Sequence, residues 1–234
     1  MMDAEGTCDC YFRAFFDTSE DVQETDTHFR CTDGKPDFQY RLLYNIKHPR
    51  KTTKFTVQAY DRDFFKSNDI IGEATIDLAD LMEDVTLVKQ NLSLNKKWYN
   101  QVMKEKYPNL KVEWDKENDQ KFYLTLYSMN PKTKKVEKAG KVGIQIDIFP
   151  KETAEKNPVG KARDNPNHSP FLPAPQGRLE FSLNPIKMLS QMMSPAIWRK
   201  IKIYLCLAVC CALFIAILPN ILGTIISGAI MSII

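Results

Sequence analysis

The sequence predicts a mainly β protein: an antiparallel β-sandwich, then a linker, then one C-terminal transmembrane helix. Three features lead there. Short runs rich in aromatic and β-branched residues, separated by turn residues, recur between Tyr11 and Phe149. From Lys151 to about Pro185 the composition shifts to Pro, Asn, Gly and charge without periodicity. After Lys202 there is no Asp, Glu, Lys, Arg or His. The 234 residues suit one sandwich of ordinary size with appendages. The expected division is 1–151 for the sandwich, 152–197 for the linker and juxtamembrane segment, and 198–234 for the anchor and a short tail.

The strands are expected at 11–16, 38–44, 54–60, 122–128 and 142–149. In the third of these Thr53, Phe55, Val57 and Ala59 fall on one face and Lys54, Thr56, Gln58 and Tyr60 on the other, so the first set is expected to face the core. Turn chemistry separates the runs at Thr32-Asp33-Gly34-Lys35-Pro36, Asn130-Pro131 and Ala139-Gly140. A helical patch is expected over 78–87, where Leu78, Leu81, Met82 and Val85 recur at helical spacing.

The 32 basic and 29 acidic residues leave a net charge of +3, which does not suggest a nucleic-acid partner. Of six cysteines, Cys206, Cys210 and Cys211 lie in the apolar tail and Cys8, Cys10 and Cys31 in the body. They match neither a disulfide framework nor a zinc pattern, so reduced thiols in a cytosolic body are expected. The start lacks the basic and apolar regions of a secretory signal.

The anchor is expected from Ile203 to Leu218, with Pro219 stopping or kinking the helix and 221–234 forming a second apolar piece. Trp198, Arg199, Lys200 and Lys202 form a basic and aromatic collar on its N-terminal side. By the positive-inside rule the body faces the cytosol and the short C-terminus the lumen or the exterior. Ala208, Ala212 and Ala216 share one helix face, where close helix–helix association is sterically open.

The chemistry is expected at acidic loops. Asp61 closes a strand, Asp63 follows two residues on, and Asp69 returns after a tip carrying Phe64 and Phe65. Asp3 and Asp9 flank a short loop at the start. Ca²⁺ takes six to eight oxygen ligands, and clustered carboxylates supply them. Adjacent phenylalanines at a charged tip suit a loop that dips into a bilayer.

These residues resemble a known family. Asp3-x₅-Asp9-Cys10-Tyr11-Phe12-Arg13 is similar to the first calcium loop of C2 domains, with Cys10 where those domains have proline. Asp61-x-Asp63-x₅-Asp69 followed by Ile71-Gly72 is similar to their third calcium loop. Thr25-Asp26-Thr27-His28-Phe29-Arg30, Asp33-Gly34 and Phe38-Gln39-Tyr40-Arg41 resemble a stretch of a late ferlin C2 domain. Gly160-Lys161-Ala162-Arg163-Asp164-Asn165-Pro166-Asn167, Phe181-Ser182-Leu183-Asn184-Pro185 and Leu218-Pro219-Asn220 extend the resemblance to the tail. The chain starts inside the first loop, so the resemblance implies an N-terminally incomplete C2 sandwich, with further C2 domains upstream in a longer protein.

The resemblance implies Ca²⁺ held by Asp3, Asp9, Asp61, Asp63 and Asp69, binding to anionic phospholipid membranes, contacts with fusion machinery or other ferlin domains, and a role in vesicle trafficking and membrane fusion or repair. Phe64 and Phe65 are the expected membrane contacts. The alternative is a Ca²⁺-independent C2 scaffold or protein-interaction module tethered to a membrane. No Gly-x-Ser-x-Gly elbow, His-Glu-x-x-His motif or phosphate-binding glycine loop occurs, so an enzyme is not expected.

Overall fold

A computed structural model describes residues 8–17, 21–63, 67–108, 110, 112–192 and 195–231. The chain forms two compact units, Met1–Arg178 and Leu179–Ile234.

In the first unit, β1 (Cys8–Phe15) lies between β4 (Lys54–Asp61) and the short strands β2 (Gln23–Glu24) and β3 (His28–Cys31). β4 pairs in turn with β5 (Asp69–Asp77). The second layer is built on β8 (Phe122–Met129), flanked by β7 (Val112–Trp114) and β9 (Val136–Ile144). All these pairs are antiparallel, and one residue pair, Glu73 opposite Tyr127, joins the two layers. A small ribbon of β6 (Leu92–Ser93) and β10 (Asp147–Ile148) completes the strands among the described residues. This is the antiparallel C2-type sandwich that the sequence predicts.

Alternation builds the core. In β4 the buried residues are Phe55, Val57 and Ala59, and β8 answers with Phe122, Leu124 and Leu126. These side chains meet Ala14, Ile76 and Val142 in one cluster. Helix α1 (Ala79–Val88) closes it by burying Leu81, Met82 and Val85, with Leu78 buried just before it. Burying such side chains is worth about 1.5–3 kcal/mol each. A further helical segment runs through α2 (Lys96–Trp98), a π-helical turn (Tyr99–Met103) and α3 (Lys104–Lys106), its start capped by the Asn95 side chain accepting from the Trp98 N–H at 2.9 Å.

Two local expectations are overturned. Residues 38–44 form no strand: a single bridge links Arg41 to Ala162. The backbone turns left-handed at Gln39 (φ 43°), and the carbonyls of Phe38 and Gln39 accept from the Arg163 guanidinium, both at 3.0 Å, instead of from a neighbouring strand. Ala139-Gly140 is no turn but lies within β9, where the register slips by one residue opposite Leu126 and Tyr127.

Side-chain hydrogen bonds tie residues 160–178 to the rest of the first unit. Asp26 takes ion pairs from Arg163 and, at 2.7 Å, from Arg178. Arg41 donates to the carbonyls of Gly160 and His168, each at 2.9 Å, and of Pro170 at 2.6 Å. The helix α4 (Lys151–Lys156) precedes this stretch.

The second unit contains α5 (Pro185–Met192) and α6 (Pro195–Met231). Helix α6 runs on through Pro219, so of the two expected effects of that proline, a stop or a kink, the stop is overturned. A proline removes one backbone donor and bends a helix without having to end it when apolar residues continue on both sides. Within α6, Trp198–Pro219 is long and apolar enough to cross a membrane: 22 residues span about 33 Å against a hydrocarbon core of roughly 30 Å. This stretch contains the expected Ile203–Leu218, and its apolar side chains are exposed. Ala208, Ala212 and Ala216 lie along one of its faces.

Candidate functional site

Asp9, Asp61 and Asp69 lie at one end of the β1–β4–β5 sheet. Cys10 stands opposite Asp61, and Asp61 stands opposite Asp69. Strand parity places Asp61 in line with Phe55, Val57 and Ala59, so its carboxylate points to the buried face and is only 3% exposed. A buried charge needs compensation. Asp61 Oδ1 accepts the Asp9 N–H at 2.8 Å, and Arg62 N–H donates to the Asp9 carbonyl at 2.8 Å. Asp9 Oδ1 in turn accepts the Arg30 N–H at 2.8 Å. Asp9 and Asp61 are therefore fixed in adjacent strands before any ligand arrives.

The third loop is closed by a residue that sequence reasoning passed over. Asn68 Oδ1 accepts the Asp63 N–H at 3.1 Å, while its Nδ2 donates to the Tyr11 hydroxyl at 3.0 Å. Tyr11 stacks on Tyr60 with ring centroids 5.4 Å apart, and the Arg62 guanidinium covers its ring at 4.5 Å. The signal lay in the sequence: an asparagine just before the returning aspartate, in a loop that must fold back on itself.

Three thiols line the same end, at the buried Cys8, Cys10 and Cys31. Cys8 and Cys31 face each other across β1 and β3. The hydrogen bond from Cys8 to Cys10, burial and the nearby Asp61 charge push the Cys8 thiol well above its ordinary value, so it stays protonated at neutral pH.

Of the five expected ligands, Asp9, Asp61 and Asp69 are gathered at this sheet end and Asp63 lies two residues beyond Asp61. Asp3 lies outside the described residues, as do the expected membrane contacts Phe64 and Phe65.

An antiparallel sandwich with acidic residues at one end is the design of a C2-domain protein, and here it is joined in sequence to a helix long and apolar enough to cross a membrane. Residues 1–101 match the C2 domain family. Residues 88–234 match the family described as the ferlin C-terminus, and the chain belongs to the ferlins. Among curated relatives, it is 28% identical over 158 residues to Ferlin 1 of Toxoplasma gondii, covering 68% of this chain and 9% of the relative. It is 26% identical over 263 aligned positions to mouse myoferlin, covering 94% of this chain and 12% of the relative. The sperm vesicle fusion protein fer-1 of Caenorhabditis elegans is 26% identical over 103 residues, covering 35% of this chain and 5% of the relative. The chain thus spans a small part of the length of these relatives.

C2 domains imply Ca²⁺, and the donors fit it in kind. They are hard carboxylate oxygens on neighbouring strand ends, and the buried Asp61 gains from a nearby cation. Among the described residues, however, no group of three or more His, Cys, Asp or Glu side chains is arranged to hold a metal ion.

Proposed function

We propose that the chain is the Ca²⁺-dependent, phospholipid-binding end of a membrane-anchored ferlin acting in vesicle trafficking and in membrane fusion or repair. The register of β1, β4 and β5, which brings Asp9, Asp61 and Asp69 to one sheet end, is the observation that carries this reading. Asp3, Asp9, Asp61, Asp63 and Asp69 would hold the ion. When bound, Ca²⁺ supplies positive charge at the acidic loops, whose own carboxylates repel anionic headgroups. The chain's own part is to hold the carboxylates ready: the Arg30 N–H holds Asp9, the Asp9 N–H holds Asp61, and Asn68 folds the third loop back. Phe64 and Phe65 at that loop's tip would enter the lipid interface, each adding about 1.5–3 kcal/mol when fully buried. The basic collar before the anchor orients the body to the cytosol.

Calorimetric titration of the full chain in detergent micelles with CaCl₂ tests the reading. A saturable heat that Asp61→Asn removes is expected; no heat up to millimolar Ca²⁺ sinks it. That second outcome would favour a Ca²⁺-independent scaffold or protein-interaction module.

A further inference from the structure

The distal part of the β8–β9 hairpin is an arm. Residues 131–141 are all exposed, and Met129 and Val136, facing each other across the strands, are 62% and 65% exposed. The turn is well built: Asn130 Oδ1 accepts the N–H groups of Lys132 and Thr133 at 3.0 and 3.2 Å, and the Asn130 N–H donates to the Lys135 carbonyl at 2.9 Å. Lys132, Lys134, Lys135 and Lys138 ride on this arm, and none of them forms an ion pair among the described residues.

Register decides where the arm points. Glu73 pairs with Tyr127 in antiparallel fashion, so β8 runs from Tyr127 towards the end at which β5 begins, and β5 begins at Asp69. Gly72 fixes this approach, because a Cβ there would lie 2.8 Å from the Cβ of Ala139 and 3.1 Å from the Tyr127 carbonyl. The cationic arm therefore extends at the same end of the sandwich as the acidic loops.

We infer that this arm is a second, Ca²⁺-independent docking element whose occupant is an anionic phospholipid bilayer. Lysines bracketing exposed Met129 and Val136 match the chemistry of such a surface: cationic heads meet the phosphates and carboxylates of the headgroups, while the apolar pair reaches the interfacial layer. An apolar anchor in the same chain keeps a lipid surface close by. Each lysine brought to an anionic surface is worth about fivefold in affinity at physiological salt. Three together give roughly a hundredfold. The arm rests on the reading of the chain as a lipid-binding ferlin, but not on its Ca²⁺ site.

The test uses the full chain reconstituted in phosphatidylcholine vesicles and measures capture of separate acceptor vesicles by flotation in EGTA. Acceptors of phosphatidylcholine with phosphatidylserine are expected to be captured, with capture falling at high salt. Acceptors of phosphatidylcholine alone are not. The K132E/K134E/K135E variant is expected to lose at least tenfold of that capture while keeping the wild-type circular dichroism and melting midpoint, since these side chains are exposed and the Asn130 bonds use backbone groups. Equal capture of both acceptor types, no capture in EGTA, or an unchanged triple variant overturns the inference. Adding Ca²⁺ reads the metal site separately: a wild type that gains nothing from the ion refutes that site, and the EGTA measurements still decide on the arm.

Discussion

Asp26 is the residue on which the attachment of residues 160–178 turns, and Asp26→Ala is the perturbation that measures it. Its two oxygens face two guanidiniums, with side-chain exposures of 28% for Asp26, 21% for Arg163 and 16% for Arg178. A hydrogen bond to a charged group contributes about 1.5–3 kcal/mol, and leaving a largely buried charge unpaired adds its desolvation cost. Against this, the arginines keep the carbonyls of Phe38 and Gln39 as acceptors, and roughly a quarter of Asp26 already faces water. The balance is a loss of about 2–4 kcal/mol, or roughly 5–15 °C in melting midpoint for a unit of this size. Near-ultraviolet circular dichroism of the full chain in detergent micelles reads the midpoint. Limited trypsin digestion supplies a second readout, in which cleavage at Lys161, Arg163 and Arg178 should become the earliest event. A midpoint within about 1 °C of the wild type, together with an unchanged digestion pattern, would refute the reasoning that this carboxylate fastens the segment.

Gly72→Val should cost about 1–3 kcal/mol in chemical denaturation, because Ala139 and the Tyr127 backbone have no flexible end to move aside; an unshifted midpoint would contradict that packing. The half-buried Tyr44 hydroxyl donates to the Ala14 carbonyl at 2.7 Å, and desolvation, then the nearby Asp21 charge, raises its pKa well above the ordinary 10.0. A raised folded-state value means that its stabilisation is complete below about pH 10 and is lost as the pH climbs from there through the folded value. Tyr44→Phe should therefore be less stable than wild type at neutral pH yet show a shallower alkaline loss; parallel alkaline limbs would count against this assignment.

How much the sequence disclosed depends on how each element is stabilised. Strands such as β4 and β8 write their alternation in large apolar residues, and the apolar stretch of α6 stands out by the absence of charge. The first half of β9 does not, because every residue of Val136–Gly140 is exposed and none is a large buried apolar side chain. Residues 38–44 have strand composition, but arginines from a distant segment take up their carbonyls, and such non-local partners leave no periodic trace. The site was legible to the level of its loops: the resemblance to C2 calcium loops puts Asp9 and Asp61 near each other, and the register of β1 and β4 brings the two residues to adjacent strands. What spacing does not reveal is that the Asp9 and Asp61 oxygens are already engaged by backbone N–H groups, or that Asn68 latches the loop.

Among the described residues β9 has a strand partner on one side only, so its outer backbone groups form an open template for another chain to pair with. Natural sheets guard such borders with charge, and Glu137, Lys138 and Lys141 sit along this one. The guard works with either sign but fails with none. Exchanging these residues for leucine or valine should turn a soluble border into a nucleus for sheet-to-sheet aggregation, whatever the state of the acidic loops at the other strands.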